Sequence, residues 1–148
     1  MDSYYARKIV YDHALEISSD AANEIVLLVA HGPINFDDNA LLLKSMNNIS
    51  EYVRQEAGFY SVTPISLQDD AAREVRAKNV EVLRDIVATN TTEGRRVLIV
   101  TKPMSSGIIQ ARLRNDLAGR EFIFNEKGLV EHPDFVTWIS KAVSDLRP

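Results

Sequence analysis

His31 is the residue of this chain best placed to do chemistry. It follows an unbroken apolar run, Ile25-Val26-Leu27-Leu28-Val29-Ala30, and opens the turn His31-Gly32-Pro33. A neutral imidazole at such a point can bind a metal ion or take a proton near neutral pH. It can equally donate to a nearby backbone carbonyl. A second candidate segment, Lys102-Pro103-Met104-Ser105-Ser106-Gly107, follows the apolar run Val97-Leu98-Ile99-Val100. Ser105, Ser106 and Gly107 ahead of a helix could offer backbone donors to an anion, or form an ordinary cap. Gln68-Asp69 ends a third strand-like segment, and there Asp69 reads as a helix cap rather than a ligand. Asp37 and Asp38 read as first-turn acids favoured by a helix dipole. His132 belongs to the cap region before Pro133, and His13 reads as a structural residue of an apolar helix face.

Several chemistries are absent from the pattern. There is no Gly-x-Gly-x-x-Gly, no phosphate-loop lysine and no serine-nucleophile elbow. With no cysteine in the 148 residues, disulfides, thiolate zinc sites and cysteine nucleophiles are excluded. The net charge of −4 argues against a nucleic-acid partner, because phosphate binding favours a basic surface. No apolar stretch approaches the roughly 20 residues of a membrane span. The N-terminus lacks the charged-then-apolar order of a signal peptide, so the expected location is the cytoplasm.

The elements that must position these residues follow from periodicity. Residues 2–18 read as a helix on the spacing of Ile9, His13 and Ile17. The run 25–30 reads as a central strand buried on both faces. A helix opened by Asn35 or Asp37 follows, with Leu42, Met46, Ile49 and Val53 inward and Gly58 as its stop. Ser61 to Leu67 reads as a strand at or near a sheet edge, because Pro64 lacks a backbone donor. Asp69 then caps a helix whose inward face is Val75, Val82, Leu83 and Ile86, ending in a loop at 90–94. Val97–Val100 is a third strand, Ile109, Leu113 and Leu117 mark a third helix after the first, and 121–124 is a fourth strand. Pro133 opens a last helix with Phe135, Ile139, Val143 and Leu146 as its core stripe.

Strands alternating with helices predict an α/β fold in three layers: a four-stranded, mostly parallel sheet with helices on both faces. Residues 1–20 form an N-terminal helix or connector, and 21–148 the α/β domain. Ligands of such sheets bind at the carboxyl ends of the strands. His31, Gln68-Asp69 and the Lys102–Gly107 segment should therefore lie together. An acidic pair with a Lys-Pro after a strand also occurs in receiver domains. Here the acidic pair falls several residues past its strand and Lys-Pro follows the third strand, which disfavours that reading.

Three segments resemble the class II tetrapyrrole chelatases. Ile25 to Pro33, reading IVLLVAHGP, is similar to their opening strand and His-Gly turn. Pro103 to Gly107 is placed like their Pro-rich, Gly-containing strand end. Gly128-Leu129-Val130-Glu131-His132-Pro133 resembles their closing Gly-x-x-x-His-Pro segment. The likeness covers about residues 24–147, and the small sirohydrochlorin cobaltochelatases (CbiX-like) are the most similar group. It implies a chelatase-like, flavodoxin-related half that inserts a divalent metal into a tetrapyrrole such as sirohydrochlorin, on the way to cobalamin or siroheme. The metal (cobalt, or else iron or nickel) is then a substrate, and no organic cofactor is expected. His31 becomes metal ligand and proton acceptor, and Lys102, Ser105, Ser106 and Gly107 face the macrocycle.

The sequence departs from the family at three points. The usual turn is His-Gly-Ser, and position 33 is Pro. A second histidine of active members would fall at Ile108 or Ile109. A glutamate common after the second strand is replaced, with Gln68 nearby. One imidazole alone is a poor chelating site. The chain is thus expected to be one half of a two-half chelatase, to form a homodimer, or to have kept tetrapyrrole or metal binding without insertion.

Overall fold

A computed structural model describes residues 4–102, 108–128 and 131–146, with the backbone alone at Ile108. Its elements are α1 (Tyr4–Ile17), β1 (Glu24–Ala30), α2 (Phe36–Ala57), β2 (Ser61–Ser66), α3 (Arg73–Thr92), β3 (Arg96–Thr101), α4 (Ile108–Asp116), β4 (Ile123–Asn125) and α5 (Asp134–Asp145), with one 3-10 turn at Ala21–Asn23. The strands form a single sheet in the order β2-β1-β3-β4, every pair parallel.

All seven residues of β1 are buried, as its unbroken apolar run requires of a central strand. Side chains alternate between faces. Val26, Leu28 and Ala30 join Leu98 and Val100 against α1 and α2. Ile25, Leu27 and Val29 join Val97 and Ile99 against α3 and α4. The helix expected ahead of residue 21 is α1, and it contributes Ala6, Val10 and Ala14 to the first of these clusters. Strand β2 lies at the edge with Pro64 opposite Leu28, where its missing donor is tolerated. Helix α2 is capped by Asn35, whose side chain accepts from the Asp38 N–H at 3.0 Å, and stops at Gly58 in the left-handed conformation, as expected of a C-terminal glycine.

Four expectations about the elements fail. Helix α3 buries Val80, Leu83 and Val87, while Val82 is exposed. Its sequence carries two apolar stripes about 100° apart, and only packing against β1 and β3 chooses between them. The loop expected at 90–94 is helix as far as Thr92, because Asn90 and Thr91 bond back to the carbonyls of Ile86 and Val87 at 2.8 Å, which keeps both side chains in the helical turn. Helix α5 buries none of its residues fully. Ile139, Val143 and Leu146 are exposed, the last at 84 %. Trp138 alone packs against the α1–α2 cluster, since α5 docks on the flank of α1 rather than on the sheet. Strand β4 is also shifted, to Ile123–Asn125.

Candidate functional site at the strand ends

The chain reverses direction across the sheet between β1 and β3, since β1 leads to β2 on one side and β3 to β4 on the other. The crevice outside the carboxyl ends at such a switch point is where ligands of open α/β sheets bind. His31 stands there, directly after β1. Lys102 closes β3 on the other side of the crevice, buried at 6 % exposure, with its N–H donating to the Val29 carbonyl at 2.9 Å. Ser105, Ser106 and Gly107 lie outside the described residues.

The turn that carries His31 is locked from below. Gly32 has φ +81°, and a Cβ there would collide with the Ser66 hydroxyl and sit 3.1 Å from the Gln68 nitrogen. Only glycine meets both the φ and the space. Gln68 itself has φ 50°, an uncommon value for a residue with a side chain. Its amide nitrogen donates to the Pro33 carbonyl at 3.2 Å, and Asn79 donates to its Oε1 at 3.3 Å. Strain of this kind persists where surrounding bonds over-determine the backbone. Gln68 is therefore a brace between two loops, 3 % exposed, and not a group that faces a ligand.

Both ring nitrogens of His31 meet carboxylates. Nδ1 lies 3.0 Å from Asp69 Oδ2, and Nε2 lies 2.8 Å from Asp70 Oδ2. The side chain of Asp69 is 0 % exposed, whereas His31 and Asp70 are 46 % and 63 % exposed. An ionised carboxylate only accepts, so each contact needs a proton or a cation between its atoms, and the buried, Arg76-bound Asp69 is the better-fixed acceptor for the ring's proton, on Nδ1. The Nε2–Asp70 pair faces outward and needs either a proton or a cation between its atoms. The expectation that Asp69 caps α3 fails. The cap position is Ala72, with no side-chain cap bond, and Asp69 turns inward to His31 and Arg76 instead. Arg76 Nε donates to Asp69 Oδ1 at 2.9 Å, and Arg76 Nη2 donates to Asp116 at 2.8 Å. The hydrogen bond to Asp116 is the main cause that raises the Arg76 pKa above its ordinary value. A buried carboxylate requires such a partner.

In the sequence, Asp70 has one signal, its place directly after Asp69 at a strand end, which is indistinguishable from a loop acid until His31 is seen opposite. Ile109, one of the two positions where the resemblance would put a second histidine, is 7 % exposed and packs with Leu113 and Leu117 in the core.

Three further features stand apart from the His31 turn, and the first two do not carry a functional reading. Asp12, His132 and Asp134 could in number hold a metal. However, His132 Nδ1 accepts the Asp134 backbone N–H at 2.9 Å, so its proton sits on Nε2, which donates to Asp12 at 2.7 Å. A metal on Nε2 would demand an imidazolate, and Lys8 already pairs with Asp134. The group is a bolt between α1 and α5, and His132 acts in the helix cap as expected. A cleft of about 440 Å³ lies at the amino ends of β3 and β4, lined in part by Arg95, Arg96 and Arg120. It is at the opposite end of the sheet from His31. Arg95 and Arg96 are already paired with Glu93 and Glu24, which leaves little net charge for an anion. A cleft of about 530 Å³ beside Gln110, Asn125 and Lys127 is on the carboxyl side, at the end of β4.

No helix among the described residues is long and apolar enough to cross a membrane. No protein-family model matches this chain, and no curated protein matches it. Among solved structures, SirB from Bacillus subtilis with Fe3+ matches with a TM-score of 0.69 at 15 % sequence identity, over 97 % of this chain and 54 % of that one. The chain thus spans about half the length of that structure, and it shares with it a three-layer α/β fold built on a four-stranded parallel sheet.

Proposed function

We propose that this chain is a chelatase-like unit that holds a divalent transition metal between His31 and Asp70 and delivers it, as substrate, to a tetrapyrrole such as sirohydrochlorin. The observation that carries this reading is the outward pair itself: His31 Nε2 and Asp70 Oδ2, 2.8 Å apart at the switch-point crevice. An imidazole and a carboxylate suit cobalt, nickel and iron alike. Two ligands from the protein hold an ion loosely enough to release it. The same groups can then take up the two N–H protons that the macrocycle must lose. Asp70 stands in this scheme where the resembled family has its glutamate. The segment from Lys102 to Gly107 is proposed to contact the carboxylates of the macrocycle. The likeness to a SirB structure with Fe3+ puts iron beside cobalt among the ions to be tried.

The second reading is a binding or pairing half that does not insert metal by itself. It is favoured by the absence of a second imidazole at Ile109, by the match to about half of the SirB chain, and by the exposed apolar residues of α5. A homodimer or a second chelatase-like half would then complete the cleft.

One titration tests both readings. Purified protein is mixed with sirohydrochlorin, then with Co2+ or Fe2+, and followed by absorbance against an enzyme-free control. Metal-dependent spectral change faster than the control, lost in His31→Ala and Asp70→Ala, is the expected result. Binding without acceleration selects the second reading, and no binding of either partner overturns both.

A further inference from the structure

We infer that Asp69, clamped by Arg76 and Asp116, is a positioning residue that fixes the tautomer of His31, keeping the proton on Nδ1 so that the Nε2 lone pair faces the outer pair with Asp70. The inference rests on His31 being the functional imidazole. It concerns how the protein controls that ring.

The relay spans three elements. Asp69 follows β2, Arg76 lies in the first turn of α3, and Asp116 ends α4. Both oxygens of Asp69 are committed: Oδ1 accepts from Arg76 Nε at 2.9 Å, and Oδ2 faces His31 Nδ1 at 3.0 Å. The Asp69 N–H also donates to the His31 carbonyl at 3.1 Å, so backbone and side chain hold the same residue. The guanidinium is a rigid fork of donors. Its far edge is occupied by Asp116, through Nη2 at 2.8 Å and Nη1 at 3.4 Å. Asp116 is in turn fixed by Arg84, whose Nε donates to its backbone carbonyl at 2.7 Å. Arg76 therefore cannot swing away without leaving Asp69 Oδ1 and the nearly buried Asp116 carboxylate without their partner.

The consequence for the ring follows from donor and acceptor counts. With aspartate at 69, both ring nitrogens face carboxylates, but Asp69 is buried and clamped by Arg76 whereas Asp70 is 63 % exposed and can turn to water, so the single proton of the neutral ring stays on Nδ1. With asparagine at 69, Arg76 still offers only donors, so the amide oxygen must stay on its side. The amide NH2 then points at His31, where it needs an acceptor. Nδ1 gives up its proton, the proton moves to Nε2, and the lone pair that faced Asp70 is lost. An isosteric change thus inverts the tautomer because Arg76 dictates which way the amide lies. Orienting carboxylates of this kind behind metal-binding histidines typically contribute 10–100-fold to metal affinity.

The test uses the full chain labelled with 15N-histidine, with the ring of His31 in its neutral form and its signals assigned by their loss in His31→Ala. Long-range 1H–15N correlation should show the Nδ1–H tautomer in the wild type and the Nε2–H tautomer in Asp69→Asn. Adding Arg76→Gln to Asp69→Asn frees the amide to turn and should return part of the Nδ1–H form. Co2+ affinity, measured calorimetrically, should fall 10–100-fold in Asp69→Asn alone. A wild-type ring with its proton on Nε2 overturns the inference without any variant, as does an unchanged tautomer in a folded Asp69→Asn. Inversion of the tautomer in a protein that binds no metal would sink the proposed function and leave this positioning role standing.

Discussion

Replacing Gly32 by alanine should destabilise the protein far more than the same change at Gly58, and the difference measures how tightly the His31 turn is packed. Both glycines have left-handed φ, +81° and +77°. That conformation costs an alanine about 1–2 kcal/mol. At Gly58 nothing lies within 4 Å of the added Cβ, so the conformational penalty is the whole effect. At Gly32 the methyl meets the Ser66 hydroxyl, the Ser66 Cβ at 3.3 Å and the Gln68 nitrogen at 3.1 Å. Overpacking of that kind adds about 1–3 kcal/mol, for a total near 2–5 kcal/mol. At about 2–4 °C per kcal/mol for a domain of this size, the expected fall in Tm is about 2–8 °C for Gly58→Ala and about 4–20 °C for Gly32→Ala. Differential scanning calorimetry on both variants reads this directly. Ser66→Ala removes the closest clashing atom and should recover part of the loss in the double variant. Equal Tm shifts at the two glycines, or no coupling between Gly32→Ala and Ser66→Ala, would refute the close approach of the β1 and β2 turns.

Two further perturbations address the frame around the site. His13 is 1 % exposed, neither ring nitrogen has a hydrogen-bond partner among the described residues, and burial lowers its pKa below 6.5. The unfolded chain therefore binds a proton at a higher pH than the folded one. Stability is full above the unfolded pKa and is lost as pH falls from it towards the lowered folded value. Tm should drop between about pH 7 and pH 5 in the wild type, and His13→Leu should flatten that slope; an identical slope in both proteins would mean His13 is not the group responsible. Asn35→Ala removes the cap of α2, whose Oδ1 accepts from the Asp38 N–H, and should cost about 0.5–2 kcal/mol in urea unfolding, with a loss below that range counting against the cap.

The architecture could be read from the chain because its causes are local and repeated. The apolar run 25–30 required a strand buried on both faces, Pro64 required an edge, and Asn35 and Gly58 fixed the ends of α2. The spacing of Ile109, Leu113 and Leu117 gave the inward face of α4, which is buried as expected. His31 was visible as a candidate because a strand end in an α/β sheet is a place where side chains meet ligands. What the sequence left open were choices between locally equal options. Val82 and Val87 fit their helix equally well, and the sheet surface selected one. The α5 stripe looks like a core face, but helical periodicity does not say what the helix will rest on.

The surroundings of His31 belong wholly to the tertiary structure. Asp69 carries the local signature of a cap, and its actual partners are 38 residues back and 7 residues on, at His31 and Arg76. Asp116, a further 40 residues beyond Arg76, closes the relay. Cap preference is decided within one turn of chain, whereas a buried charge is decided by whichever opposite charge the fold brings to it. The sequence named the imidazole and the end of the sheet on which it would stand. Which carboxylates face each ring nitrogen was set only when β1 and β2 paired in parallel register and α3 and α4 packed against them.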